Sequence, residues 1–424
     1  MTLHLGCIAD DFTGATDLAN NLVRSGMRVV QFNGLPDASE PAPPDTDAIV
    51  IALKTRTIPA AEAVAQSLEA LAWVKMHGSP CIYYKVCSTF DSTSLGNIGP
   101  VTEALMDATG CDFSIATPAF PDNKRTVFKG YLFAGDGLLN ESGMQNHPLT
   151  PMTDANLVRV LQAQCQGKVG LVDYTVVAQG QAAIRARFDE LKAQGFKIAI
   201  VDAISNADLM RLGSALFGMP MLTAGSGVAV GLPQNFGITP SSQASQLPPK
   251  QGLRAIVSGS CSEATNAQVK HAIDTGMPAF AVDSLQLMAG VDVAAFALNW
   301  AQSHIHQSTV LIFSTAMPDV VKAAQTQRGV QATGELVEQC LAKIAQGLVS
   351  MGVAQLIVAG GETSGACVQA LHAKKMRIGE QIDPGVPWCY TQTPHSPVHG
   401  AIHLALKSGN FGTQDFFTKA FELI

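Results

Sequence analysis

The sequence predicts an α/β protein of two domains, each a mostly parallel sheet flanked by helices. Three observations predict it. Short, nearly continuous apolar segments alternate with helical patterns along the whole chain, as parallel strands covered on both faces require. At 424 residues the chain exceeds what one core comfortably holds. Phe236 to Gly252 (FGITPSSQASQLPPKQG) replaces the apolar periodicity with Ser, Gln and Pro, the composition of an exposed connector. The expected layout is a first domain over 1–235, a linker over 236–252 and a second domain over 253–424.

Taken in order, the first half reads as a strand from Leu3 to Ala9, a helix from Thr16 to Ser25, and strands at Val29 to Phe32, Ala48 to Leu53, Cys81 to Val86 and Phe113 to Ala116. A long polar loop follows. The rhythm resumes with a strand at Val169 to Val172, a helix from about Gln181 to Gln194, and strands at Lys197 to Val201 and Pro220 to Thr223. After the linker come a strand at Leu253 to Ser258, a helix from about Glu263 to Thr275 and a strand at Ala279 to Val282. A helix within Val293 to Gln302, a strand at Val310 to Ser314, a long helix ending near Met351 and a strand at Gln355 to Ala359 complete the reading.

Composition narrows the function classes. Hydrophobic residues at 47% against 14% charged exclude a disordered chain or a coiled coil. Apolar runs are broken by Gly, Asp or Pro well short of the ~18 residues a membrane span needs. Met1 to Ala9 lacks a basic leader, so a cytoplasmic protein is expected. Its nine cysteines, reduced there and without a C-x-x-C pair, are expected to be buried structural residues. A net charge of −7 without a Lys/Arg cluster argues against nucleic acid as a partner, and the apolar composition is compatible with a homodimer.

Chemistry concentrates at strand ends. In I-A-D-D-F-T-G-A-T-D (Ile8 to Asp17) the first strand stops at Asp10 and Asp11, where parallel sheets place ligands. Alternation along a strand sends neighbours to opposite faces, so one of the pair is expected to meet substrate while the other caps the helix. Asp11 and Thr13 as simple caps is the plainer alternative. Lys85 precedes hydroxyls and Asp91 in Y-K-V-C-S-T-F-D-S-T, and Arg56 follows the neighbouring strand; together they suit a small polyhydroxylated carboxylic acid. As isolated residues both would read as surface charges. The polar loop holds Lys124, Arg125 and His147, candidates for a binding loop or plain surface and structural residues.

In the second half, S-G-S-C-S-E-A-T (Ser258 to Thr265) and A-G-G-E-T-S-G (Ala359 to Gly365) each place glycines between a strand and a helix, where backbone N–H groups can receive phosphate. Ordinary tight turns would look similar, and neither dinucleotide nor Walker A fingerprint is present. L-K-S-G-N-F-G (Leu406 to Gly412) could close over the phosphates with Lys407, and G-S-G (Gly225 to Gly227) is a weaker glycine loop.

As an ordered set, A-D-D-F-T-G-A-T-D, K-V-C-S-T-F-D-S-T, T-A-G-S-G, G-S-C-S, G-G-E-T-S-G, D-P-G-V-P-W and L-K-S-G-N-F-G resemble the four-carbon acid sugar kinase family over nearly the whole chain. The resemblance implies an N-terminal domain that binds the acid sugar through Asp10, Asp11, Arg56 and Lys85. It implies a C-terminal domain that binds ATP through Ser258, Gly360, Gly361, Glu362, Thr363 and the Gly409 region, with Mg²⁺ on the phosphates and transfer to the O4 hydroxyl at an active site in the interdomain cleft. Asp10 or Asp11 would orient or deprotonate that hydroxyl while Arg56 and Lys85 hold the carboxylate. The acceptor stays open between a 3-oxo acid and a reduced acid such as threonate or erythronate, and a binding protein without turnover is the non-catalytic alternative.

Overall fold

A strand covered on both faces must be apolar at every position, and Leu5–Ala9 (LGCIA, β1) and Ala48–Ala52 (AIVIA, β3) are buried along their whole length. The computed structural model describes residues 3–147, 149–249, 251–314, 330–397 and 400–424. Its contacts divide the chain into two units, Met1–Ser245 and Gln246–Ile424.

The sheet of the first unit contains β1, β2 (Val29–Asn33), β3, β4 (Ile82–Lys85), β5 (Ser114–Thr117), β9 (Lys168–Val172), β10 (Phe196–Val201) and β11 (Met221–Ala224). Their order is β2-β3-β1-β4-β11-β5-β10-β9, and every pairing is parallel. The chain runs from β1 outward to β2 and β3, then crosses back to β4 on the other side of β1. That reversal opens a crevice beyond the carboxyl ends of β1 and β4. Register aligns the last residues of the central strands: Ala9 pairs with Ala52 and with Lys85, Lys85 with Ala224, and Ala224 with Thr117. The polar loop carries structure of its own, a small antiparallel sheet of β6 (Arg125–Phe128), β7 (Tyr131–Ala134) and β8 (Gly137–Leu138).

The second unit orders its strands β13-β14-β12-β15-β18-β17-β16, with β12 at Leu253–Ser258, β13 at Ala279–Ala281, β14 at Val310–Phe313 and β15 at Val353–Ala359. The first five in that order pair parallel, whereas β16 (Lys375–Asp383), β17 (Val386–Gln392) and β18 (Ala401–Lys407) form an antiparallel meander. Trp388 on β17 is buried and donates its indole N–H to Ala420 O at 2.9 Å, tying the meander to the C-terminal turns. Ser258, Ala359 and Lys407 stand in register at the ends of β12, β15 and β18.

Two expectations change. The first helix spans Phe12–Arg24 and so starts a turn before Thr16, because Asp11 caps it. Cysteine burial holds for Cys7, Cys111, Cys340, Cys367 and Cys389 but fails at Cys261, which is exposed in the loop after β12. Among the described residues no helix is long and apolar enough to cross a membrane.

Glycine also sets how closely elements approach. In the helix Asn206–Ala215, a Cβ on Gly213 would fall well inside contact distance of the Gly231 carbonyl. Propensity alone favours Gly213→Ala by about 1 kcal/mol. The clash outweighs it, and the variant is expected to be less stable by about 1–3 kcal/mol, read as a lower urea midpoint with an unchanged slope.

Candidate active site

The first turn of the helix Phe12–Arg24 decides the geometry of the acidic pair. Asp11 occupies the N-cap with extended backbone, accepting from Gly14 N at 3.0 Å and from Thr13 Oγ1 at 2.9 Å. β1 has ended at Ala9, so strand alternation no longer separates the two side chains, and both reach one cation instead of facing apart. Arg56 donates from Nε to Asp10 Oδ2 at 2.8 Å, and from Nη2 to Asp10 Oδ1 at 3.0 Å and Asp11 Oδ1 at 2.6 Å. The backbone N–H groups of Thr55 and Arg56 both bond the Asp10 carbonyl, which fixes the turn that carries the guanidinium. Lys85, only 3% exposed, holds its ammonium 3.7 Å from Asp11 Oδ1 and 4.0 Å from Asp10 Oδ1. It lies against Gly14, whose Cβ would displace it. Asp10, Asp11, Arg56 and Lys85 thus form one cluster, with the Arg56 fork occupied by protein carboxylates.

Two further residues belong to this cluster, and sequence reasoning gave them no role. Asp17, buried one face around the same helix, accepts a short hydrogen bond from Ser226 Oγ, 209 residues away, while its Oδ1 is buried without a partner. The G-S-G segment therefore braces an acidic residue: Gly225 and Gly227 pack against the backbone of Pro118 to Phe120, where a Cβ would clash. The only sequence signal was that Asp17 and Ser226 lay in motifs read for other reasons.

Beyond Lys85, Cys87 Sγ lies 3.0 Å from Thr89 Oγ1, which donates to Asp91 Oδ1 at 2.5 Å. His147 Nδ1 accepts from Thr150 N at 3.0 Å, so its ring serves the loop's own turn. Lys124 is exposed, whereas Arg125 is partly buried.

Charge balance follows from burial. Burial pushes the Asp10 carboxyl up, outweighing Arg56 and Lys85. Burial also pushes Asp11 up, but Arg56, Lys85 and the Thr13 hydrogen bond together hold it below the usual carboxylate range. Asp17 is raised to about 7, because burial exceeds the help of Lys85 and Ser226. Of the three carboxyls, Asp11 is the poorest proton acceptor.

In the second unit, the loops after β12, β15 and β18 meet. Gly360 adopts φ +122°, and its N–H bonds Lys407 O at 2.8 Å, while Gly259 N bonds Ala359 O at 2.9 Å. A Cβ on Gly360 would press on Ser260 N and Thr363, and one on Gly409 would press on Ser262. Ser262 caps the helix Glu263–Asp274 and donates to Gly409 O at 2.6 Å, a carbonyl that Thr265 Oγ1 also reaches at 2.8 Å. Ser258, Gly360, Gly361, Glu362, Thr363 and Gly409 therefore gather where β12, β15 and β18 end and the helix Gly361–Ala370 begins. Ser258 and Thr363 are buried, and Gly361 and Glu362 are exposed at the start of the helix Gly361–Ala370. Lys407 does not extend over them. Its buried ammonium donates to Thr265 Oγ1 at 2.9 Å and to the carbonyls of Ser408, Gly409 and Phe411 at 3.1–3.2 Å, holding the last loop in shape. Burial lowers its pKa to about 7.

Residues 5–232 match a family model described as a sugar-binding N-terminal domain, and residues 255–417 one described as a nucleotide-binding C-terminal domain. The chain is 56% identical over 420 residues to a Burkholderia multivorans protein named 3-oxo-tetronate kinase, covering 98% of this chain and 96% of that one. It is 46% identical to a Methylobacterium radiotolerans protein of the same name, covering 100% of both. A crystal structure from Salmonella typhimurium LT2, described as a candidate tRNA synthase, superposes with a TM-score of 0.87 at 42% identity and 99% coverage of both chains. One from Haemophilus influenzae gives 0.78 at 44% identity, again over 99% of both.

Asp17 makes a pH signature. With its folded pKa near 7 against 3.8 for an ordinary aspartate, the folded protein keeps a proton between those values that the unfolded chain has released. Its contribution to stability is therefore full below 3.8 and is lost as pH rises through 7. Asp17→Asn, which cannot ionise, is expected to gain on the wild type by up to a few kcal/mol, roughly 1.36 per pK unit, across that window. Urea melts at stepped pH check this; a difference independent of pH would refute it.

Proposed function

Since the chain belongs to the four-carbon acid sugar kinase family, we propose that it phosphorylates the O4 hydroxyl of a four-carbon 3-oxo acid at the expense of ATP, in the breakdown of sugar acids. The observation that carries this is the identity to the Burkholderia multivorans 3-oxo-tetronate kinase, which extends over nearly all of both chains. The geometry supports the same division of labour: a charged strand-end crevice for the acid in the first unit, and adjoining glycine loops for the nucleotide in the second.

In the step itself, O4 attacks the γ-phosphorus, the new O4–P bond forms as the bond to the β,γ-bridging oxygen breaks, and ADP leaves with the electron pair. The hydroxyl proton passes to Asp10, whose buried carboxyl has the higher proton affinity of the pair. Asp11 caps the helix and, with Arg56, holds Asp10 in place. Lys85 has contacts to carboxylates only beyond hydrogen-bond length, which leaves its N–H groups able to meet substrate oxygens. Ser258 and Thr363 offer hydroxyls to the nucleotide and Gly361 and Gly409 their backbone groups, while Gly360, whose N–H is bonded to Lys407 O, shapes the turn that brings them together. Among the described residues no group of three or more His, Cys, Asp or Glu is placed to hold a metal. The donor set fits Mg²⁺ carried by the phosphates and water, and Glu362 is the carboxylate that would reach it through water. When bound, Mg²⁺ neutralises charge on the transferring phosphoryl.

Two outcomes are expected. With Mg·ATP, a 3-oxo-tetronate is turned over to a 4-phosphate, seen as ADP release and by ³¹P NMR. Asp10→Asn lowers kcat by about 10²-fold or more with little change in the KM for ATP; unchanged kcat would remove Asp10 from the reaction. Separately, exposed Cys261 sits between Ser260 and Ser262 in the nucleotide loop. Its labelling by a maleimide, mapped by peptide mass spectrometry, is expected to slow at least several-fold in saturating Mg·ATP, and equal rates would place the nucleotide elsewhere.

A further inference from the structure

The turn Pro121–Asn123, after β5, leads through Lys124 at φ +55° into the hairpin β6–β7. Arg125 is the first residue of that hairpin. Its Nη1 donates to the Asn123 carbonyl at 2.6 Å, and its Nε is buried with no partner. The Asn123 side-chain Nδ2, on the same turn, is likewise buried with no partner. Among the described residues Arg125 forms no ion pair. Buried N–H donors left unmade are costly and rare in native folds, and donors alone call for a ligand that brings acceptors.

The turn is held firmly, and it is held at the crevice. Phe120 and Arg125 exchange both backbone hydrogen bonds, at 2.8 and 3.0 Å. Phe120 lies just beyond the end of β5 and packs with Ala119 on Gly227, the segment that braces Asp17. At the far end of the hairpin, Asp202 accepts from Lys129 N at 2.5 Å and Gly130 N at 2.8 Å, and Val127 pairs with Ala203. Burial lowers the Arg125 pKa while Cys87 and Asp91 oppose it, so both lie within electrostatic reach of the guanidinium. Cys87 lies within the same reach of Arg56, Lys85 and Asp10.

Charge completes the case. The Arg56 fork is taken up by Asp10 and Asp11, and Lys85 sits beside the same two carboxylates. An anionic substrate entering this cluster needs a cation that the protein has not already paired. We propose that Arg125, assisted by Asn123, is the receptor for the carboxylate of the acid substrate, and so the residue that makes the site select acids over neutral sugars. Arginine suits this, since its planar fork matches a carboxylate bidentately. The assignment rests on the kinase function proposed above.

The test compares a 3-oxo-tetronate with the matching four-carbon ketose, in which a hydroxymethyl group replaces the carboxylate while the phosphorylated hydroxyl is kept. The wild type is expected to prefer the acid in kcat/KM by at least about 10²-fold. Arg125→Gln is expected to raise the KM for the acid by about 10²-fold, leave the KM for ATP within about twofold, and bring the acid and the ketose close to parity. Calorimetric binding of the acid without nucleotide is expected to weaken in parallel. Arg125→Lys, which keeps charge and stem but not the fork, falls between wild type and Gln and carries the test if the Gln variant does not fold. An unchanged acid KM and preference would overturn the assignment. So would a fall in kcat with acid binding intact, which would place Arg125 on the transferring phosphoryl group. A wild type that turns over no tetronate with ATP would remove the kinase function itself, and that result is distinct from either.

Discussion

Taking an ion out of water costs several kcal/mol even after relaxation, and a buried pair recovers that only when its hydrogen bonds are well made. The first unit places three carboxyls and two cations just beyond the ends of β1 and β3, at the end of β4 and on the helix Phe12–Arg24, and their neighbours help to satisfy this constraint. Arg56 meets Asp10 through two nitrogens and Asp11 through one of the same two. Asp11 gains a hydroxyl and a helix N–H besides. Asp17, left with one hydroxyl donor and a more distant Lys85, takes up a proton near neutral pH. With Asp17 protonated, Asp10 and Asp11 balance Arg56 and Lys85. The cluster is close to neutral before any substrate arrives, and an anionic substrate would leave it one charge short.

The second unit meets a related constraint with different groups. Loops that offer backbone N–H groups to a ligand must keep those groups unpaired, and so cannot stabilise themselves through them. Here the support comes from below. Lys407 threads its ammonium under the last loop and ties three carbonyls together, Gln268 bonds the carbonyls of Phe411, Gly412 and Thr413, and Ser262 and Thr265 share the Gly409 carbonyl. These bonds engage carbonyls, which a phosphate would repel, and leave N–H groups available. A lysine in a glycine-rich segment reads naturally as a phosphate ligand, but its burial assigns it to the scaffold.

Legibility in the sequence followed the range of the interactions. The parallel strands were readable because burial on both faces forces apolar runs, and Asp10, Lys85 and the glycine loops were readable because each sits at the end of such a run. The antiparallel meander β16–β18 escapes that reading, although K-M-R-I at the start of β16 alternates exposed and buried residues, a period-two signal. The hairpin β6–β8 reads as loop, since its short strands are half-exposed and offer neither a fully apolar run nor a regular alternation. Asp17 with Ser226 was not readable, because nothing local announces a contact across 209 residues.

Arg125 shows what separates a charge used for folding from one kept for a ligand. By sequence it stood beside Lys124 with nothing to distinguish the two, and residue type cannot do so, since both are cations in a polar segment. The difference lies in solvation. Lys124 is exposed and its charge is met by water, which makes it cheap to leave without a partner. Arg125 has given up part of that water without receiving a carboxylate in exchange, and its neighbour Asn123 has done the same with an amide. Moving either out to solvent would relieve the fold, yet the backbone pair to Phe120 and the Asp202 anchor hold the turn there. Local structure that fixes an unsatisfied donor against its own stability implies a compensating interaction in another state of the protein, and for a donor-only pair beside a cluster whose other cations already face carboxylates, that state is one with an anion bound.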